Sequence, residues 1–121
     1  MPKEPILHRR TFGSTQVLSV RVNEVREADT IAALGVQIRR EIEASGAGCR
    51  YVLDLSDVTY QTSAALGMVI NVRAHLADRG YPFALAGAAG DVARVLAHAH
   101  LGEVIPLYPS VEEAVEQMRC C

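Results

Sequence analysis

The run Arg50-Tyr-Val-Leu-Asp-Leu55 is the strongest constraint on this chain. It is nearly continuous in apolar side chains and too short for a buried helix, so it predicts a strand covered on both faces. A helical stretch follows from Ser63 to Arg79, carrying Leu66, Val69, Ile70, Arg73, Leu76 and Ala77. Gly80 fits the left-handed position after a helix, and Pro82 cannot continue one. Tyr81-Pro-Phe-Ala-Leu-Ala86 is then a second buried strand. A strand, a helix and a strand in that order make a crossover between parallel neighbours.

The same alternation extends in both directions. Downstream, Gly87-Ala-Ala-Gly90 leads into a helix over Asp91–Ala99, capped near Gly90 or Asp91, and Gly102 closes that unit. Val104-Ile-Pro-Leu-Tyr108 reads as a last strand, and Pro106 places it at a sheet edge because proline lacks the ladder N–H. Ser110 and Glu113 form an S-x-x-E capping box for a final helix, Val111–Met118.

Upstream, Ile31, Leu34, Ile38 and Ile42 make one apolar stripe on a helix over Asp29–Ala44, with Asp29 as its cap and Ser45-Gly46 as its stop. Arg39, Arg40, Glu41 and Glu43 fall on its wet face. Before it, Gln16–Val22 alternates: Leu18, Val20 and Val22 inward, Ser19 and Arg21 outward, with Val17 breaking the pattern. Residues 1–15 supply a weak first strand, Ile6–Arg10, and the turn Gly13-Ser14-Thr15; residues 119–121 read as a frayed tail. The expectation is a single α/β domain over 1–121. Its sheet should be mixed and mostly parallel, with about five strands and about four helices.

Composition removes several functions. The net charge of −2 leaves no basic surplus to displace counterions from a nucleic acid. Eleven of the twelve basic residues are arginine, and the pairs Arg9-Arg10 and Arg39-Arg40 read as solvated surface, with anion binding the lesser alternative. No apolar run reaches the roughly 20 residues that span a bilayer, and the first residues hold no signal-peptide core. Cys49, Cys120 and Cys121 have neither metal spacing nor a disulfide framework, which points to free thiols in a cytoplasmic protein. Cys120-Cys121 is not a prenylation box. His98 and His100, two apart on a helix, cannot share a metal.

In a parallel sheet, function gathers at the carboxyl ends of the strands, here the turns at 23–29, 56–63, 87–90 and 109–110. Thr62-Ser63 stands out because two hydroxyls begin a helix. One reading is an N-cap, which accounts for one of them. The other is a phosphoacceptor: a phosphate there meets free N–H groups and the positive end of the helix dipole. Gly87–Gly90 lacks the lysine and spacing of a phosphate-binding loop, and Ser63 has no G-x-S-x-G elbow around it. Asp54 and Asp57 have the chemistry for Mg²⁺, but one turn cap and one solvated carboxylate is the simpler reading. No catalytic set converges, so no enzyme and no cofactor are expected.

The stretch Tyr51-Val-Leu-Asp-Leu-Ser-Asp57 followed by Val58-Thr-Tyr-Gln-Thr-Ser-Ala-Ala-Leu-Gly67 resembles the STAS domain of bacterial anti-sigma-factor antagonists. That family's turn reads aromatic-x-Asp-Ser-Ser/Thr-Gly-Leu-Gly after V/L-D-L-S-x-V. The order of elements matches from about Gln16 to Met118. Tyr60 holds the aromatic slot, Leu66 and Gly67 the Leu-Gly slots, and Ser63 the phosphoacceptor position. Thr62 stands where the family has Asp, Ala64 replaces the second hydroxyl residue and Ala65 replaces Gly. A second family feature, G-x-L-D, is here Asn23-Glu-Val-Arg26, so Arg26 replaces its acid while Glu24 remains.

The resemblance implies a binding regulator whose partner is a serine-kinase anti-sigma factor of the histidine-kinase-like ATPase fold. Ser63 would be the switch, and Tyr60, Thr62, Ala64, Glu24 and Arg26 the contacts. It equally accommodates a non-phosphorylated scaffold in a stress-sensing assembly, or an accessory subunit of a lipid or anion transporter.

Overall fold

A computed structural model describes residues 6–45 and 49–119. Gly46 and the Cys120-Cys121 pair lie outside the described residues. The elements in chain order are β1 (Leu7–Phe12), β2 (Thr15–Val20), β3 (Glu24–Val25), α1 (Ala28–Ser45), β4 (Arg50–Asp54), β5 (Tyr60–Gln61), α2 (Ser63–Asp78), β6 (Phe83–Ala86), α3 (Gly90–His98), a 3₁₀ turn (Leu101–Glu103), β7 (Leu107–Tyr108) and α4 (Val111–Arg119). Five strands form one sheet in the order β1-β2-β4-β6-β7. Only the β1–β2 hairpin is antiparallel; β2–β4, β4–β6 and β6–β7 are parallel. The α/β architecture and its mostly parallel sheet are those expected.

Alternation along each strand divides the core into two layers. Leu18, Val20, Tyr51, Leu53, Phe83 and Leu85 pack with Leu34, Ile38 and Ile42 of α1, Val69, Val72 and Leu76 of α2, and Val92 and Leu96 of α3. On the other face Val17, Val52, Ala84 and Ala86 meet Val111, Ala114 and Met118 of α4. Burying each of the larger side chains contributes about 1.5–3 kcal/mol, and the thicker layer carries most of it.

The second layer explains the break in β2. Every residue from Thr15 to Val20 is buried. Val17 faces α4, so it is not an irregularity. Ser19, expected outward, is 6% exposed and bonded to Asp54. The alternation over 16–22 reads as a half-exposed strand because α4, which covers the other face, lies over ninety residues later in the chain.

The other departures are local. α1 begins at Ala28, so Asp29 sits inside its first turn, where a carboxylate favours the helix dipole without capping it. The N-cap position of α3 is Ala89, and no side chain caps that helix. The last strand shrinks to Leu107–Tyr108, since Val104 and Ile105 donate their N–H groups back to Leu101 O (2.9 and 2.8 Å). Pro106 has no N–H to give a ladder and contributes only its carbonyl, which accepts from Leu85 N (2.9 Å), while the paired residues are Leu107 and Tyr108. The end of α2 is as expected: Gly80 has φ +73°, Tyr81 N bonds Leu76 O (2.9 Å) and Gly80 N bonds Ala77 O (3.0 Å), a Schellman cap.

Candidate functional site

β3 and β5 form a small parallel ladder beyond the carboxyl ends of the main strands, pairing Glu24 with Tyr60 and Val25 with Gln61. Asn23 O accepts from Thr59 N (2.7 Å) and Tyr60 N (3.2 Å), and Val25 O accepts from Thr62 N (3.2 Å). The loops leaving β2 and β4 are thereby zipped together. This ladder is why residues 23–26 and 60–64, far apart in sequence, share one surface. No periodicity marks it; two residues per strand are too few to carry a pattern.

The turn out of β4 is set by Asp54. Its Oδ1 accepts from Ser56 N (3.0 Å) and from the Ser56 hydroxyl, closing an Asx turn. Oδ2 accepts from Ser19 Oγ (2.8 Å) and lies 3.7 Å from an Arg10 nitrogen. Asp54 is therefore the turn cap among the two aspartates. Asp57 is exposed and ion-paired with Arg21 at 3.4 Å. Among the described residues no group of three or more His, Cys, Asp or Glu is placed to hold a metal ion.

At the start of α2 the two hydroxyls divide the work. Thr62 is the N-cap, with extended backbone (φ −97°, ψ 170°), and its Oγ1 accepts from Ala65 N at 3.4 Å. Leu66 N reaches Thr62 O at 3.2 Å. Ser63 is the first helical residue; it is exposed, and its hydroxyl has no partner among the described residues. A helix leaves its first N–H groups without intrahelical acceptors, which at this end are those of Ser63 and Ala64. An anion on the Ser63 oxygen would thus sit at free donors and at the positive dipole end. Removing the cap has a measurable cost: Thr62→Ala should lower stability by about 1 kcal/mol. A urea titration should show it as a lower midpoint at unchanged slope.

Around Ser63 the surface is polar at one side and apolar at the other. Tyr60 is 44% exposed, and Ala64, Gly67 and Ile70 are exposed along α2. Ala64, Gly67 and Met68 line a shallow groove against Ile31, Ala32 and Gly35 of α1. Arg26 does not stand free for a phosphate: its guanidinium lies 3.4 Å from Glu24 and 4.0 Å from Glu27. Glu24 and Arg26 neutralise each other, an exposed pair worth under about 1 kcal/mol and readily exchanged. Sequence reasoning missed Gln61, which is 5% exposed beside Thr62 with Nε2 unpartnered.

A family model, the STAS domain, matches residues 13–114. The chain belongs to the STAS domain family. A Thermotoga maritima protein to which an anti-sigma factor antagonist role is ascribed is 34% identical over 67 residues, 55% of this chain and 59% of that one. The STAS chain spans about six-tenths of the length of the curated relatives it matches. Among solved structures, an anti-sigma-factor antagonist domain protein of Planctomyces limnophilus superposes with TM-score 0.83 at 20% identity, covering 93% of this chain and 97% of that one. An anti-sigma factor antagonist of Mycobacterium paratuberculosis gives 0.80 at 24% identity, over 93% and 92%. At these identities the superpositions establish the STAS fold.

Proposed function

We propose that this STAS chain is an anti-sigma-factor antagonist. It binds a serine-kinase anti-sigma factor through the surface around Ser63, and phosphorylation of Ser63 releases it. The observation that carries the reading is the division of labour at α2: Thr62 takes the cap, so the Ser63 hydroxyl is exposed and unengaged. A hydroxyl already used as a cap is held at the helix; this one is free to enter a kinase. The antagonist role ascribed to the relatives supports the same reading.

Tyr60, Thr62 and Ala64 form the contact surface, with Glu24 brought beside Tyr60 by the β3–β5 ladder and Arg26 tied to Glu24. An exposed aromatic ring flanked by small residues suits docking, since rings bury large area at little entropy cost. Phosphate adds about −1.5 to −2 charges and bulk to that surface. Its position at a helix start means the modification leaves the fold intact and acts on the interface. The protein works as a cytoplasmic binding regulator, without a catalytic role or a cofactor.

A scaffold or accessory-subunit role is the second reading. It is favoured by Thr62 and Ala64 standing where the family carries Asp and a hydroxyl, and by Arg26 being committed to Glu24. Incubation with the cognate anti-sigma kinase and ATP, followed by phosphopeptide mapping, separates the two. Phosphate on Ser63, lost in Ser63→Ala, is the expected result. Stable binding with no phosphate on Ser63 or Thr62 would move the protein to the scaffold role.

A further inference from the structure

The sheet has two edges, and they are guarded differently. Edges of natural sheets are blunted by short strands, prolines, bulges or charges standing across them. β7 obeys this: it has two residues and follows Pro106. β1 does not. It runs six residues, Leu7–Phe12, without proline, and its register with β2 is continuous from Leu7↔Val20 to Phe12↔Thr15, so it has no bulge.

The open side of β1 can be read from the ladder. Arg21 N donates to Ile6 O at 2.8 Å, and antiparallel pairs alternate between bonded and non-bonded. The groups of His8, Arg10 and Phe12 therefore face β2, while the N–H and C=O of Leu7, Arg9 and Thr11 face outward. Among the described residues nothing bonds them.

The two arginines do not close this edge. Arg9 is drawn onto the α1 face by Glu41 (3.3 Å) and the Ser45 hydroxyl (3.3 Å). Arg10 is drawn onto the opposite face by Asp54 (3.7 Å), with its guanidinium 5.7 Å from the centre of the Phe12 ring. At the end of the strand Phe12 is 44% exposed and lines a cleft of about 540 Å³ with Gly13, Ser14, Arg50 and Val115. That cleft lies at the amino ends of β2 and β4, the pole opposite Ser63.

We propose that β1 is an acceptor edge for an extended, acidic segment of another protein. The segment adds to the five-stranded sheet as a further strand and seats an apolar side chain in the cleft beside Phe12. Backbone bonds to Leu7, Arg9 and Thr11 supply affinity, and the cleft supplies selection. Charge decides the occupant. β1 carries His8, Arg9 and Arg10 and no acid, in a chain whose net charge is −2. A second copy pairing through β1 would oppose arginine to arginine, whereas a carboxylate on the added strand meets two cations that their pairs with Glu41 (3.3 Å) and Asp54 (3.7 Å) leave 39% and 44% exposed.

The test uses short synthetic peptides alternating Val or Thr with Glu and ending in Leu, against the same peptides with Lys for Glu, read by fluorescence anisotropy. The acidic set should bind at least about tenfold tighter. Thr11→Pro removes an outward N–H while sparing the β1–β2 ladder, and should weaken binding about tenfold. Should that variant fold poorly, amide exchange on the wild type serves instead, with the amides of Leu7, Arg9 and Thr11 slowing when the acidic peptide is added. Ser63→Asp should leave this binding unchanged, because the edge and the proposed switch lie at opposite poles. Equal binding of both peptide sets, binding of neither, or unprotected β1 amides overturns the proposal. A concentration-dependent dimer dissolved by Thr11→Pro overturns it in favour of a second copy.

Discussion

Ser63→Asp is expected to weaken the proposed complex with an anti-sigma kinase by on the order of 100-fold, about 2.7 kcal/mol, while leaving the melting temperature unchanged. A carboxylate at the first position of α2 is well placed for the fold, because Ser63 is exposed at the positive end of a helix of 16 residues. The same charge is badly placed for a partner that covers Tyr60, Thr62 and Ala64, since it is buried without a counterion: the nearby cation Arg26 is already paired with Glu24. Ser63→Ala should bind like wild type and resist release by ATP. Calorimetric titration of the three proteins with the purified kinase reads all of this. Equal affinities for wild type and Ser63→Asp would remove charge at Ser63 as the control.

Gly87→Ala is expected to cost about 3 kcal/mol and to lower the melting temperature by about 10 °C. Gly87 follows β6 at φ +79°, in the left-handed region. A Cβ there would lie 2.6 Å from Ser56 Oγ, 3.0 Å from Asp54 Oδ1 and 3.1 Å from Ser56 N. Those atoms form the knot that turns the chain out of β4. Ser19 and Arg10 hold its other side, so the carboxylate cannot retreat without breaking its bonds. Gly13→Ala is the control: φ is +62° with nothing within 4 Å of a Cβ, so only the backbone share of about 1 kcal/mol is lost. Because the knot leads directly toward Ser63, Gly87→Ala should also weaken partner binding. Chemical denaturation of both variants checks the difference, and similar costs at the two glycines would show that the knot adjusts freely.

The sequence determined the central architecture through signals that are local in origin. The apolar runs at 50–55 and 81–86, the Gly80-x-Pro82 stop and the stripe over 31–42 depend only on burial and on backbone geometry near each residue. They place a parallel sheet, its helices and the strand–turn–helix unit whose helix begins at Ser63. They also leave the Thr62-Ser63 pair ambiguous, because either hydroxyl can begin a helix.

Tertiary structure decided what depends on distant partners. α4 covers the second face of the sheet and gives Val17 its place, and Ser19 is buried with its hydroxyl on Asp54, though neither residue's neighbours in sequence announce it. The β3–β5 ladder brings Glu24 and Arg26 to Tyr60 and Thr62, across a separation that no local pattern encodes. The bonds from Val25 O to Thr62 N and from Thr62 Oγ1 to Ala65 N fix Thr62 as the cap, which leaves the Ser63 hydroxyl exposed. Local propensity is set by a residue and its few neighbours, and it settled where the helix starts. Which of two adjacent hydroxyls stays free was set by hydrogen bonds that exist only once the loops from β2 and β4 have met.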